Sequence, residues 1–200
     1  MPGKNIYKEY VPESFYHIYN RGVNRRNIFL DDKDYVVFLS LLKRYLSARI
    51  SKKESGVAYK TLHQDVELLA YCLMPNHFHL FIYQHSPDAM FELLKPVSIA
   101  YAMYFNRRYS RVGPLFQQRY RAVRIVDDGH LLHISRYIHL NPQNFNQWQW
   151  SSLPYYTGHK HADWVRPDKI LALFSGDYQS FMNDYVDRRN ELKMIENILA

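Results

Sequence analysis

The sequence predicts an α+β fold built on a four-stranded antiparallel sheet. Three observations lead there. Residues 77–83 alternate cleanly, with His77, His79, Phe81 and Tyr83 on one side of a strand and Phe78, Leu80 and Ile82 on the other. Tyr35, Phe38, Leu39, Leu42 and Leu46 recur at helical spacing. Strand and helix signals then follow one another as β-α-β-β-α-β-α. The first six are the ferredoxin-like split βαβ arrangement, a four-stranded sheet with two helices on one face.

Each element has a local reason. Phe15 to Val23 reads as a strand running into the basic turn Asn20-Arg21-Gly22. Asp31 and Asp32 offer an N-cap, and an amphipathic helix follows from Asp32 to about Arg49. Ser51 to Gln64 is polar, includes Gly56, and reads as a mobile loop. Val66 to Met74 is mostly apolar and ends at the turn signal Pro75-Asn76. The alternating strand spans His77 to Tyr83. Ser86-Pro87-Asp88 opens a helical stretch that Pro96 is expected to split, the second piece reaching about Tyr109. Tyr120 to Val126 forms the fourth strand, and Asp127 and Asp128 cap an added helix through Leu140, stopped by Pro142. Beyond Asn144 come Trp148 and Trp150, a loop, and two short helices. These are Asp168 to Phe174, and a second from Asp177 with Phe181, Tyr185, Leu192 and Ile195 on its apolar side. The expected organisation is a main domain over residues 1–150 and a helical extension over 151–200 packed on it.

Composition narrows the function. Apolar content of 47% with 16% aromatics is that of a folded globular chain. The apolar runs fall far short of the roughly 20 residues that span a bilayer. No secretory signal is visible at the N-terminus, and the single cysteine, Cys72, fits a reducing cytosol. The net charge is +7, and its location matters more than its size. From Leu93 to Val126 there is no Asp or Glu, while Lys95, Arg107, Arg108, Arg111, Arg119, Arg121 and Arg124 carry the whole excess. Tyr101, Tyr104, Phe105, Tyr109, Phe116 and Tyr120 are interleaved with them. Arginine for phosphate with aromatics for bases is the footprint of single-stranded nucleic-acid binding. The alternative is a solvated basic face over an aromatic core helix.

The chemistry centres on His77, His79, Tyr137 and Asn141. Two histidines separated by one residue on a strand stand roughly 6.6 Å apart, close enough to converge on one ion. Otherwise one packs under a helix while the other is solvated. Tyr137 and Asn141, four apart, share a helix face. The Asn141 amide oxygen completes a His-His-O donor set, or else Asn141 is a helix C-cap. Its place before Pro142 biases it away from helical angles and away from that direction. A phenol with an ordinary pKa of about 10 becomes a competent nucleophile near a cation and stays a good leaving group. Tyr137 is thus either that nucleophile or a buried anchor for its helix. His133, one turn earlier, assists proton transfer, substitutes as a ligand, or caps a polar seam.

Three stretches bear a family resemblance. Tyr16-His17-Ile18-Tyr19-Asn20-Arg21-Gly22, Tyr71 to Leu80 (YCLMPNHFHL) and Tyr137-Ile138-His139-Leu140-Asn141-Pro142 resemble the IS200-like single-tyrosine HUH transposases. They are most similar to the REP-associated tyrosine transposases of bacteria. Phe105 to Tyr109 (FNRRY) and Gly113 to Tyr120 (GPLFQQRY) fit the same pattern. The resemblance covers about Phe15 to Trp150. It implies a metal-dependent endonuclease and strand transferase that acts on single-stranded DNA beside hairpins through a 5′-phosphotyrosine link. His77, His79 and Asn141 would hold Mg²⁺ or Mn²⁺, Tyr137 would be the nucleophile, and His133 a supporting neighbour. Insertion-sequence relatives carry Gln where this chain has Asn141. Arg21, Arg25, Arg107, Arg108, Arg111, Arg119, Arg121 and Arg124 are the expected DNA contacts. A cytoplasmic, nucleoid-associated protein is implied, with no membrane partner, as a monomer or a homodimer. Two other readings share the basic, aromatic segment: a catalytically inactive hairpin-binding protein and a ferredoxin-like RNA-binding module.

Overall fold

A computed structural model describes residues 10–174 and 176–184. Four strands, β1 (Ser14–Arg21), β2 (Val66–Met74), β3 (His77–Gln84) and β4 (Arg121–Ile125), pair antiparallel in the order β2-β3-β1-β4. This is the expected α+β sheet. The helices α1 (Asp32–Leu46) and α2 (Ala89–Arg108) pack on one face, and α3 (Asp128–Leu140) packs on the other.

Alternation in the strands builds two cores at once. Ile18, Phe78, Leu80 and Ile82 point toward α1 and α2, where they meet Phe38, Leu42, Leu93 and Tyr101. Leu69, Phe81 and Cys72 point the other way, against Ile134 and Ile138 of α3. The opposite face of a two-layer α+β sheet is often left to solvent. Here α3 and the segments after it cover it, and the candidate site residues lie between α3 and the sheet.

Capping follows the sequence. Asp31 accepts from the Asp34 N–H at the start of α1, and Asp127 accepts from the His130 N–H at the start of α3 (3.3 and 3.0 Å). A carboxylate ties α1 to α2 further. Asp34 is fully buried and accepts from the Leu30 N–H, the Tyr104 and Tyr109 hydroxyls, and Arg108.

Three expectations change. α2 runs unbroken through Pro96. Met90, Leu93, Leu94, Val97, Tyr101 and Phe105 are all buried along it, and that continuous contact outweighs the one hydrogen bond the proline removes. The segment between α1 and β2 is tied down: Lys52 bridges Ala58, and buried Leu62 bonds back to Tyr45. The extension begins with an unanticipated turn of helix, α4 (Leu153–Tyr156), and continues through α5 (Asp168–Leu171) and α6 (Tyr178–Asn183). The first of its two expected helices is therefore shorter than foreseen. Tyr185, Leu192 and Ile195, assigned to the last helix, lie outside the described residues.

Between α3 and α4 the chain runs back along β2. Trp148 donates from Nε1 to the Leu73 carbonyl (3.0 Å), and Trp150 stacks on Tyr35 with 4.7 Å between ring centres. No helix of the described residues is long and apolar enough to cross a membrane.

Candidate active site

β1 and β3 are neighbours, with Tyr19 opposite His79 and Arg21 opposite His77. Strand alternation puts His17, Tyr19 and Arg21 on the face that His77 and His79 share. A third histidine therefore joins the pair singled out in the sequence. The rings of His17 and His79 lie 8° from coplanar with centres 5.1 Å apart, and His17 Nε2 is 2.9 Å from His79 Nδ1. They meet edge to edge, as an in-plane N–H···N bond requires. His77 stands perpendicular to His79, 5.0 Å between centres.

α3 brings the remaining groups. Asn141 keeps helical backbone angles (φ −56°, ψ −43°) in spite of Pro142. The expected turn away from the helix direction is corrected here. From the helical conformation its amide reaches both rings, Oδ1 lying 3.2 Å from His77 Nε2 and Nδ2 3.4 Å from His79 Nε2. Those contacts offset the crowding before proline. Tyr137, 8% exposed, stands at 86° to both coplanar rings, 5.4 Å from His79 and 5.8 Å from His17.

Protonation follows from the surroundings. Asn76 donates from Nδ2 to the Arg25 carbonyl (3.4 Å), which turns its Oδ1 to within 2.6 Å of His77 Nδ1. A neutral His77 then carries its proton on Nδ1, and its Nε2 lone pair faces Asn141 Oδ1. Burial lowers the pKa of all three rings. His17 is pushed down to about 3, and His79 well below the ordinary value, with His17 and His77 adding to the effect. Burial lowers His77 as well, opposed by Asn141 Oδ1, which accepts from Nε2 only when the ring is protonated, and assisted by Arg21. Neutral imidazole is the form that ligates a metal.

These groups open onto a cleft of ≈ 630 Å³ that is lined by Arg21, Arg25 and Arg121 and, among the described residues, by no carboxylate. Gln117 and Gln118, from the segment before β4, form another wall. Arg21 donates to the Gln117 side chain, and Arg121 to the Tyr19 hydroxyl (3.4 Å). Asn24 and Arg25 adopt left-handed angles (φ 53° and 57°), a conformation that costs a non-glycine residue energy and is found where a chain must aim a side chain.

The other expected residues fall elsewhere. Arg107, Arg119 and Arg124 are exposed outside the cleft. Arg108 is gripped by Asp31 (2.6 Å) and Asp34 (2.8 Å), and Arg111 by Asn106 (2.8 Å). His133 does not line the cleft, and its Nδ1 accepts from Arg136 at 2.9 Å. His17 and Asn76, which back the two candidate ligands, were not singled out in the sequence. A signal for His17 was present, since it precedes Tyr19 and Arg21 at strand period. Its partner across the sheet was not visible. Among the described residues no group of three or more His, Cys, Asp or Glu side chains is placed to hold a metal. The donor set is two imidazoles and an amide.

The IS200-like transposase family matches residues 11–141, a span that ends on Asn141 and includes every cleft residue. The chain belongs to that family. The fold of this IS200-like transposase is also that of a solved REP-associated tyrosine transposase bound to a REP hairpin, at 15% identity and a TM-score of 0.54. That comparison covers 82% of this chain and 92% of the other. A putative transposase from Deinococcus radiodurans R1 aligns at 18% identity and a TM-score of 0.41, over 66% of this chain and 93% of the other. No curated relative matches the sequence.

Proposed function

We propose that this transposase nicks and rejoins single-stranded DNA at hairpin ends through a 5′-phosphotyrosine intermediate on Tyr137. One observation carries the reading. Tyr137 stands over His79 while His77, His79 and Asn141 turn polar atoms toward one another, in a cleft walled by arginine and with no carboxylate among its described residues. Such a cleft favours a phosphodiester.

The donors fit a divalent ion, which is why His77, His79 and Asn141 are assigned to hold one. With Nδ1 of His77 donating to Asn76, two lone-pair atoms, His77 Nε2 and Asn141 Oδ1, face each other at 3.2 Å. A cation resolves that opposition. Two imidazoles suit Mn²⁺ better than Mg²⁺, and substrate phosphate would supply hard oxygens for either. When bound, the ion supplies positive charge to the phosphate under attack.

The chain's own residues do the rest. The phenol oxygen of Tyr137 attacks phosphorus as its proton passes to water, the bond to the 3′ oxygen breaks, and that oxygen takes a proton from water. The new phosphodiester retains the bond energy, so a free 3′-hydroxyl can reverse the step without a nucleotide cofactor. Arg21, Arg25 and Arg121 orient the phosphates, and Arg107, Arg119 and Arg124 extend the basic track. One chain brings its own tyrosine and histidines together, which favours action in cis, whether the protein is a monomer or a homodimer. We assign the described part of the 151–200 extension to the same unit as the sheet, since its buried side chains pack with α3 and β2.

The test is incubation with hairpin DNA carrying a single-stranded flank, with Mn²⁺, read as a covalent protein–DNA adduct. The adduct is expected from the parent chain and not from Tyr137→Phe. An adduct that survived that substitution would overturn the assignment. Hairpin binding with no adduct under any divalent ion would favour a binding protein without chemistry.

A further inference from the structure

His17 is 1% exposed, and no hydrogen-bond partner for its Nδ1 exists among the described residues. A bare polar nitrogen in the interior costs stability, and a phenylalanine ring would fill the same space without that cost. The imidazole at this position must therefore be explained by its other nitrogen. Nε2 points into the site described above, 2.9 Å from Nδ1 of His79.

The direction of that bond follows from the far side of His79. Its Nε2 faces the Asn141 amide nitrogen at 3.4 Å, which only donates. Nε2 is thus an acceptor, and the proton of the neutral ring sits on Nδ1. That N–H donates to His17 Nε2, so the proton of His17 lies on Nδ1, the nitrogen without a partner. The cost at His17 is the consequence of the tautomer it enforces at His79. His77 is held from behind in the same way, by Asn76 Oδ1 at 2.6 Å. Both imidazoles turn Nε2 toward Asn141.

We infer that His17 is a positioning residue of this site: its Nε2 accepts the Nδ1 proton of His79, fixing that ring's plane and tautomer with the Nε2 lone pair toward Asn141. The functional consequence rests on the metal reading proposed above. A ring free to place its proton on Nε2 has lost the lone pair a cation needs, and removing such a supporting bond typically lowers metal affinity about 10- to 100-fold.

The experiment uses the full chain, free of metal, with ¹⁵N-labelled histidine and two-bond ¹H–¹⁵N correlation to read the tautomer of His79. Mn²⁺ affinity is measured by calorimetry, and the thermal midpoint is measured alongside. The parent is expected to show His79 protonated on Nδ1. His17→Phe is expected to lose that preference and to bind Mn²⁺ about 10- to 100-fold more weakly. The lost acceptor also leaves the buried His79 Nδ1 without a partner, so the thermal midpoint should fall as well. The tautomer of His79 and its recovery in the glutamine variant are the readouts that a merely structural role would not move. His17→Gln, whose side-chain oxygen falls near the position of Nε2, is expected to recover both tautomer and affinity. The inference is overturned if the parent carries the His79 proton on Nε2, or if His17→Phe keeps the parent's tautomer and affinity. If the phenylalanine chain does not fold, the parent and the glutamine variant decide by the same tautomer readout. A parent that binds no Mn²⁺ while His79 stays protonated on Nδ1 would overturn the metal reading and still support the hydrogen bond assigned to His17.

Discussion

The hydroxyl of Tyr178 lies 2.8 Å from Nδ1 of His139, and both residues are buried. Through this contact the C-terminal extension grips the helix that carries Tyr137. The Tyr178 hydroxyl donates in turn to Ser135 (3.1 Å), and His139 Nε2 lies 2.7 Å from the Ser152 hydroxyl, which accepts from the Tyr71 N–H (2.8 Å). A polar chain thus runs from α6 through α3 to β2. Arg136, on the same helix, lies 3.7 Å over the Phe181 ring and donates to the Phe181 carbonyl.

Tyr178→Phe removes the partner of His139 Nδ1 and leaves that nitrogen buried and unsatisfied. The expected loss is about 1–3 kcal/mol. For a chain of this size that lowers the thermal midpoint by about 2–4 °C per kcal/mol, readable by calorimetry. Tyr178 touches no cleft residue in these contacts, so the Tyr137 adduct should still form in the folded variant at low temperature.

Acid should unfold this protein early. Burial presses the pKa of His17 and of His139 down to about 3. The folded rings stay neutral while the unfolded chain takes up protons below the ordinary histidine value of about 6.5. No penalty exists above that pH, and the penalty grows toward pH 3 by about 1.4 kcal/mol per pH unit per ring. Denaturant midpoints measured from pH 7.5 down to 5 should fall, and a flat profile would contradict the burial assigned to these rings.

Asp34 should be the costliest single carboxylate to remove. It is 0% exposed and holds Arg108, two tyrosine hydroxyls and the Leu30 N–H. Asp34→Ala leaves those donors without their acceptor, an expected loss of about 3–5 kcal/mol for a broken buried pair. Asp31→Ala, at the exposed end of the same network, should cost about 0.5–2 kcal/mol as a lost cap. Equal effects in urea titrations would refute this ranking.

A mixing experiment tests cis action. Tyr137 and His79 contact each other within one chain. A mixture of Tyr137→Phe chains and His79→Ala chains should therefore form no more DNA adduct than the His79→Ala chain alone. Recovery of adduct on mixing would mean that α3 is exchanged between copies.

The sequence by itself determined the four strands, the helices α1 and α3, and the chemical identities of the candidate residues. Period-two alternation placed His77 and His79 on one strand face, and a four-residue interval placed Tyr137 and Asn141 on one helix face. Those are local geometries, set by backbone periodicity. The acidic caps at Asp31 and Asp127 were legible for the same reason, because capping acts within one turn. The break expected at Pro96 was not observed, since a local rule yields to burial along the whole of α2. Tertiary structure alone decided which faces meet. It set α3 on the sheet side opposite α1 and α2, put His17 beside His79 across the β1–β3 pairing, kept Asn141 helical before Pro142, and turned Arg108 toward Asp34 while Arg21, Arg25 and Arg121 line the cleft. Strand pairing and layer packing join residues 60 or more positions apart, and no local pattern in a single chain encodes such partners.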